Sequence, residues 1–143
     1  MASDAQPSFE ILEHTADIGF RARGDTAASL FEHAADAFLT IAAERHDARQ
    51  RESLEITVDG DDLPSLLVNF LEELLYLFDT GRFVPVRVDV LEITGTAIRA
   101  RLSGEPRDPA RHPWRLIVKA ATYHGIEVGE HAGHWQARVF LDI

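Results

Sequence analysis

Leu63-Pro64-Ser65-Leu66-Leu67-Val68-Asn69-Phe70-Leu71-Glu72-Glu73-Leu74-Leu75-Tyr76-Leu77-Phe78 decides the reading of the fold. Leu63, Leu66, Leu67, Phe70, Leu71, Leu74, Leu75 and Phe78 recur at three- and four-residue spacing, the signature of one apolar helix face. The stripe is broad enough to lie across a sheet. Asp61 or Asp62 can cap this helix, Pro64 is tolerated in a first turn, and Gly81 marks its end.

Working outward, the segments on either side read as strands. Before the helix, Leu54, Ile56 and Val58 alternate with Glu55, Thr57 and Asp59. After it, Val84, Val86, Val88 and Val90 alternate, with Pro85 favouring an edge strand or a strand start. Thr94-Gly95 is a turn signal before Ile98, Ala100 and Leu102. Ser103 to Pro113 holds three prolines and a glycine and reads as a loop. Leu116 to Val128 reads as a long strand interrupted at Gly125, Gly129 to Gly133 as a turn, and Trp135 to Leu141 as a last strand.

Toward the N-terminus, Leu30, Phe31, Ala34, Ala37, Phe38 and Ile41 predict a helix over roughly 26–43, capped by Asp25 or Thr26. Ile18, Phe20 and Ala22 alternate as a strand, and Phe9 to Leu12 is a short apolar run. The order is strand, strand, helix, strand, helix, then antiparallel strands. This predicts an α+β fold, two helices packed on a largely antiparallel sheet.

The chain of 143 residues reads as a single domain, with residues 1–8 a flexible lead. The 45% hydrophobic and 27% charged fractions are ordinary for a globular protein and argue against disorder. The absence of cysteine excludes disulfides, thiolate catalysis and cysteine zinc sites. No secretion signal and no membrane span is legible, so the simplest location is the cytoplasm. The net charge of -10 disfavours direct nucleic-acid binding. It suits solubility, cation binding or a basic protein partner.

Four groups of residues could carry chemistry. The first is Glu13, His14 and Asp17 near the start, with Asp142 and Ile143 at the end. Asp17 and Asp142 both fall on the polar phase of their strands. With the Ile143 carbonyl or carboxylate they offer oxygens to a hard cation such as calcium. Spacing alone favours a plainer reading, a turn residue and a solvated carboxylate. The second is the acidic turn Asp59, Asp61 and Asp62, where capping explains at least one carboxylate. The third is Lys119 to Gly125, either a polar site or a strand with a snorkelling lysine. The fourth is Arg107, Arg111, His112 and Trp114, basic and aromatic groups that suit a partner contact, although a solvated loop is the default. His14 has the chemistry of a general base or ligand, but a histidine beside a turn is more often structural.

Glu13-His14-Thr15-Ala16-Asp17-Ile18-Gly19, Leu67 to Asp79, Val118 to His124 and Phe140-Leu141-Asp142-Ile143 together resemble the archease family, in its motif order and across nearly the whole chain. The resemblance implies a non-enzymatic accessory protein of the GTP-dependent RNA ligase that joins 3′-phosphate or 2′,3′-cyclic phosphate ends to 5′-hydroxyl ends. It implies a role in tRNA processing or RNA repair, through ligase guanylylation and turnover. It also implies a divalent metal, with calcium the expected ion. The ligands would be Asp17, Asp142 and Ile143, with Asp62 matching an acidic residue before the second helix. His14, Lys119 and Arg111 are the expected partner contacts. Two positions depart from the family pattern. Glu13 stands where Asp is frequent. Phe70-Leu71-Glu72-Glu73 stands where the family has Trp-Leu-Asn-Glu, which leaves the role of that Asn in question. A general chaperone, or a modulator of RNA-processing enzymes such as a methyltransferase, is the alternative, and a hydrolase using His14 and Asp17 a third reading.

Overall fold

A computed structural model describes residues 8–13 and 17–143. His14 and residues 1–7 of the expected flexible lead lie outside the described residues. The elements are β1 (Phe9–Glu13), β2 (Ile18–Gly24), α1 (Ala27–Ala42), β3 (Glu52–Asp59), α2 (Leu63–Asp79), β4 (Val84–Ile93), β5 (Ala97–Glu105), β6 (Ala120–His131) and β7 (His134–Asp142). The strands form two separate antiparallel sheets, β1-β2-β7-β6 and β3-β5-β4. The helices join them: α1 packs on β2 and β4, α2 on β6 and β3.

Both helices start at a capping box. Thr26 accepts the Ser29 N–H and Asp62 the Ser65 N–H, while each serine hydroxyl reaches back to the cap backbone. The apolar stripes then bury. Leu66, Leu67, Phe70, Leu71 and Leu74 of α2 and Leu30, Phe31, Ala34 and Ala35 of α1 are fully inaccessible. Phe31 and Phe70 meet with ring centroids 5.9 Å apart, so the two helices share one core. Pro85 sits on β4, an edge strand, where its missing N–H costs no ladder bond.

Three boundaries differ from the sequence reading. β5 runs on through Ser103 and Gly104 to Glu105, so the loop begins later. A Cβ at Gly104 would lie 2.0 Å from the Val84 carbonyl oxygen; there the glycine permits close strand approach instead of marking a turn. Residues 116–119 are not strand, and β6 begins at Ala120. β6 continues past Gly129 to His131, because the turn is only Ala132 and Gly133, with φ of 53° and 82°. Two consecutive positive φ values suit the right-handed twist of a two-residue hairpin, but alanine gives no sequence signal for one.

Candidate functional site

β7 is an interior strand, and this decides the fate of the chain's end. Ile18 pairs with Leu141 as the last pair between β2 and β7. On the other side Ala120 pairs with Asp142, and the Lys119 N–H donates to the Asp142 carbonyl at 2.8 Å. The last residues are therefore held from both sides. Asp17 and Asp142 are the next residues beyond the Ile18–Leu141 pair, where the β2–β7 ladder ends. Alternation along β7 places Asp142 on the outer face of the sheet, away from buried Val139 and Leu141, while Asp17 precedes β2 and is half-buried. Asp142 and Ile143 are exposed.

Phe140 paves that outer face next to Asp142. Its partner Gly19 has no room for a side chain: a Cβ there would lie 2.6 Å from the Val139 carbonyl oxygen and 2.7 Å from the Phe140 ring. Gly125, at φ 68°, flanks the ring from the other side, and Arg138 stacks on it at 5.7 Å.

Like charges brought close across strands destabilise a sheet, and a cation between them relieves the repulsion. The Asp17 and Asp142 carboxylates and the Ile143 main-chain oxygen are donors of the type calcium takes, so these residues fit a hard cation. They fall short of the roughly six to eight oxygens it wants, which leaves places for water or a partner's groups.

The other expected ligand caps a helix. Asp62 Oδ1 accepts the Ser65 N–H at 2.9 Å as the cap of α2. Among the described residues, no three histidine or acidic side chains converge as a ligand set. Asp59 and Asp61 line a surface hollow with Ser65, Asn69 and Tyr123, and Asn69 donates to the Asp59 carbonyl at 2.9 Å.

Lys119 is exposed, and its backbone is what anchors Asp142. Arg111 is held within the protein. Its guanidinium donates to Glu105 at 3.1 and 3.3 Å, to the Asp47 carboxylate at 3.1 Å and to the Asp47 carbonyl at 2.9 Å. Glu105 is only 3% exposed and also accepts the Arg49 N–H at 2.7 Å. The Arg111 hydrogen bonds, with the Arg49 N–H second, hold its carboxyl down to about 2. Fully buried His112 accepts the Asp108 N–H on Nδ1, and its Nε2 lies 3.6 Å from Glu105. Arg107 lies 3.9 Å over the Phe78 ring, and Trp114 packs edge-on to Phe78 at 4.8 Å. The basic and aromatic groups of this loop thus face inward.

Sequence reasoning missed Glu72. Its carboxylate accepts the Ala121 N–H at 3.0 Å, tying α2 to the start of β6 beside Asp142. Only the family departure at Glu72 pointed to this position; a helix pattern carries no sign of which strand a polar side chain will meet.

Comparison with known proteins matches this architecture. Residues 9–143 match the model of the Archease protein family (MTH1598/TM1083). The chain is 40% identical to protein archease of Methanosarcina mazei over 139 residues, covering 94% of this chain and 95% of that protein. Protein archease of Pyrococcus abyssi is 38% identical over 140 residues, covering 94% and 98%. The solution structure of Methanobacterium thermoautotrophicum protein 1598 superposes with a TM-score of 0.73 at 31% identity, covering 95% of this chain and 99% of that one. The fold is also that of a Thermotoga maritima crystal structure described as an archease, possible chaperone, with a TM-score of 0.63 at 18% identity and 97% of each chain covered. The chain therefore belongs to the archease family.

Proposed function

We propose that this archease is a metal-binding accessory protein that activates a GTP-dependent RNA ligase by promoting its guanylylation and turnover. What supports the reading is the Ile18–Leu141 pair, the last of the β2–β7 ladder, beyond which Asp17 and Asp142 follow as the next residues, with the Asp142 carbonyl held by the Lys119 N–H. The Asp17 and Asp142 carboxylates, with the main-chain oxygen of Ile143, would form an incomplete oxygen site. A divalent ion, calcium in the first instance, would be held there with coordination positions left for a partner's groups. When bound, the ion supplies charge compensation for nucleotidyl transfer. This chain's contribution is to hold the carboxylates rigid at the end of an interior strand. The acidic surface, at net charge -10, suits a partner that is basic around its RNA site.

The test is a multiple-turnover ligation assay with Asp142→Asn protein. Loss of stimulation with the fold intact is expected; full stimulation would sink the carboxylate mechanism. A general chaperone role predicts instead that an unrelated RNA-processing enzyme is stimulated equally by wild type and Asp17→Asn.

A further inference from the structure

Among the described residues the large exposed apolar side chains are Ile11 at 43%, Tyr76 at 51%, Ile117 at 62%, Tyr123 at 56% and Ile143 at 41%. Four of these belong to one connected region. Ile143 follows Asp142, whose carbonyl is bonded by Lys119, two residues after Ile117. Tyr123 leads out of the same strand, β6. The Ala121 N–H is tied to Glu72 of α2, and Tyr123 shares a hollow with Asn69 of α2. Asn69, Glu72 and Tyr76 follow one face of α2 at three- and four-residue spacing, with Asn69 beside Tyr123 and Glu72 beside Ala121. Tyr76 therefore lies one turn beyond the Glu72–Ala121 contact, toward the residues that precede β6.

The strand is also built irregularly here. Thr122 pairs with Phe140 and Glu127 with Arg138, so four residues of β6, Tyr123 to Ile126, stand against Val139 alone. A bulge on an edge strand re-aims side chains and breaks the pairing that would otherwise invite another strand. Tyr123 is the aromatic at the start of that bulge.

We propose that this seam between α2 and the start of β6, with Tyr76, Ile117 and Tyr123 as apolar anchors, is the docking surface for a basic, folded protein partner. The inference rests on the ligase-activation reading and specifies the surface through which it operates. Exposed apolar side chains grouped in a polar surround mark interaction sites, and tyrosine is enriched among interface anchors. The charge of the seam selects the partner. Neither α2 nor β6 contains a lysine or arginine, and Glu72, Glu73 and Asp79 lie on α2; Lys119, between Ile117 and β6, adds one positive charge, and Glu127 beyond the bulge is paired with Arg138 at 3.2 Å. A second copy of this chain would bring two acidic seams together, so self-association is disfavoured. The seam borders the backbone of Asp142 through the Lys119 N–H, so the partner would sit at the edge of the sheet next to the end of β7.

The experiment is a titration of the ligase with wild type, Tyr76→Ala/Tyr123→Ala and Asp142→Asn, reading both Kd and maximal stimulation, with Arg99→Ala on the other sheet as control. The tyrosine variant is expected to raise Kd at least about tenfold yet reach wild-type stimulation at saturation. Asp142→Asn is expected to bind within about twofold of wild type and fail to stimulate. A tyrosine variant that binds within twofold of wild type overturns the docking surface and leaves the activation reading standing. Weakened binding alongside full stimulation by Asp142→Asn keeps the surface and overturns the carboxylate mechanism. Wild type that neither binds nor stimulates the ligase overturns both. Sedimentation showing that the tyrosine pair instead holds a homodimer together assigns the seam to self-association and also overturns the proposal.

Discussion

Two charged regions of this molecule are built on opposite plans. Around Glu105, every charge is answered from within: Arg111, the Arg49 N–H and His112 surround a carboxylate that is 3% exposed. At the end of β7, exposed Asp142 and half-buried Asp17 flank the last pair of the β2–β7 ladder. A closed network desolvates its charges and makes them stabilising only as a set. An open one leaves its charges hydrated, costs little stability and remains free to bind. Acidic residues thus mean structure in one region and recognition in the other.

The sharpest way to break this contrast is to neutralise the open end. Asp142→Asn or Asp17→Asn should cut ligase stimulation about 10- to 100-fold in multiple-turnover assays, with Tm unchanged or slightly raised as the repulsion is relieved. Removing Asp142 and Ile143 together should also abolish stimulation. It deletes the acceptor of the Lys119 N–H and should cost about 1 kcal/mol by denaturant titration.

The closed network should behave the other way. Arg111→Ala leaves Glu105 buried without its main partner and should lower Tm by several degrees, while stimulation at permissive temperature is retained. A variant that keeps its Tm but loses ligase affinity would reassign Arg111 to the partner surface. pH gives a gentler probe. Glu105 has a folded pKa of about 2, below the ordinary carboxylate value. Its stabilisation is therefore full above about pH 4.5 and is lost as pH falls toward 2. Glu105→Gln should be less stable at pH 7 and show a flatter decline between those limits, followed by circular dichroism. Lys119→Ala should be the mildest change, within about 0.5 kcal/mol in stability, because only its backbone N–H is engaged.

Much of this was legible in the chain. The stripes of α1 and α2 announced their buried faces, and Thr26 and Asp62 their caps. The alternation of Trp135, Ala137, Val139 and Leu141 announced the inner face of β7. Position 116 looked strand-like because Leu116 and Val118 are apolar; they pack on the core without joining a ladder. For Arg107 and Arg111, composition suggested an outward-facing contact, and the fold turned both inward onto Phe78 and Glu105. No described helix is long and apolar enough to cross a membrane.

The elements, their inner faces and, through four ordered motifs, the family were all readable along the chain, because periodicity and local motifs are written there. That β7 is interior, that its ladder with β2 ends at Ile18 and Leu141, that Glu72 binds β6, and that Tyr76 and Tyr123 stay exposed came from the fold alone. Each of these depends on which strand becomes whose neighbour. Long-range pairing is selected by the packing of the whole core, and no short stretch of sequence encodes it.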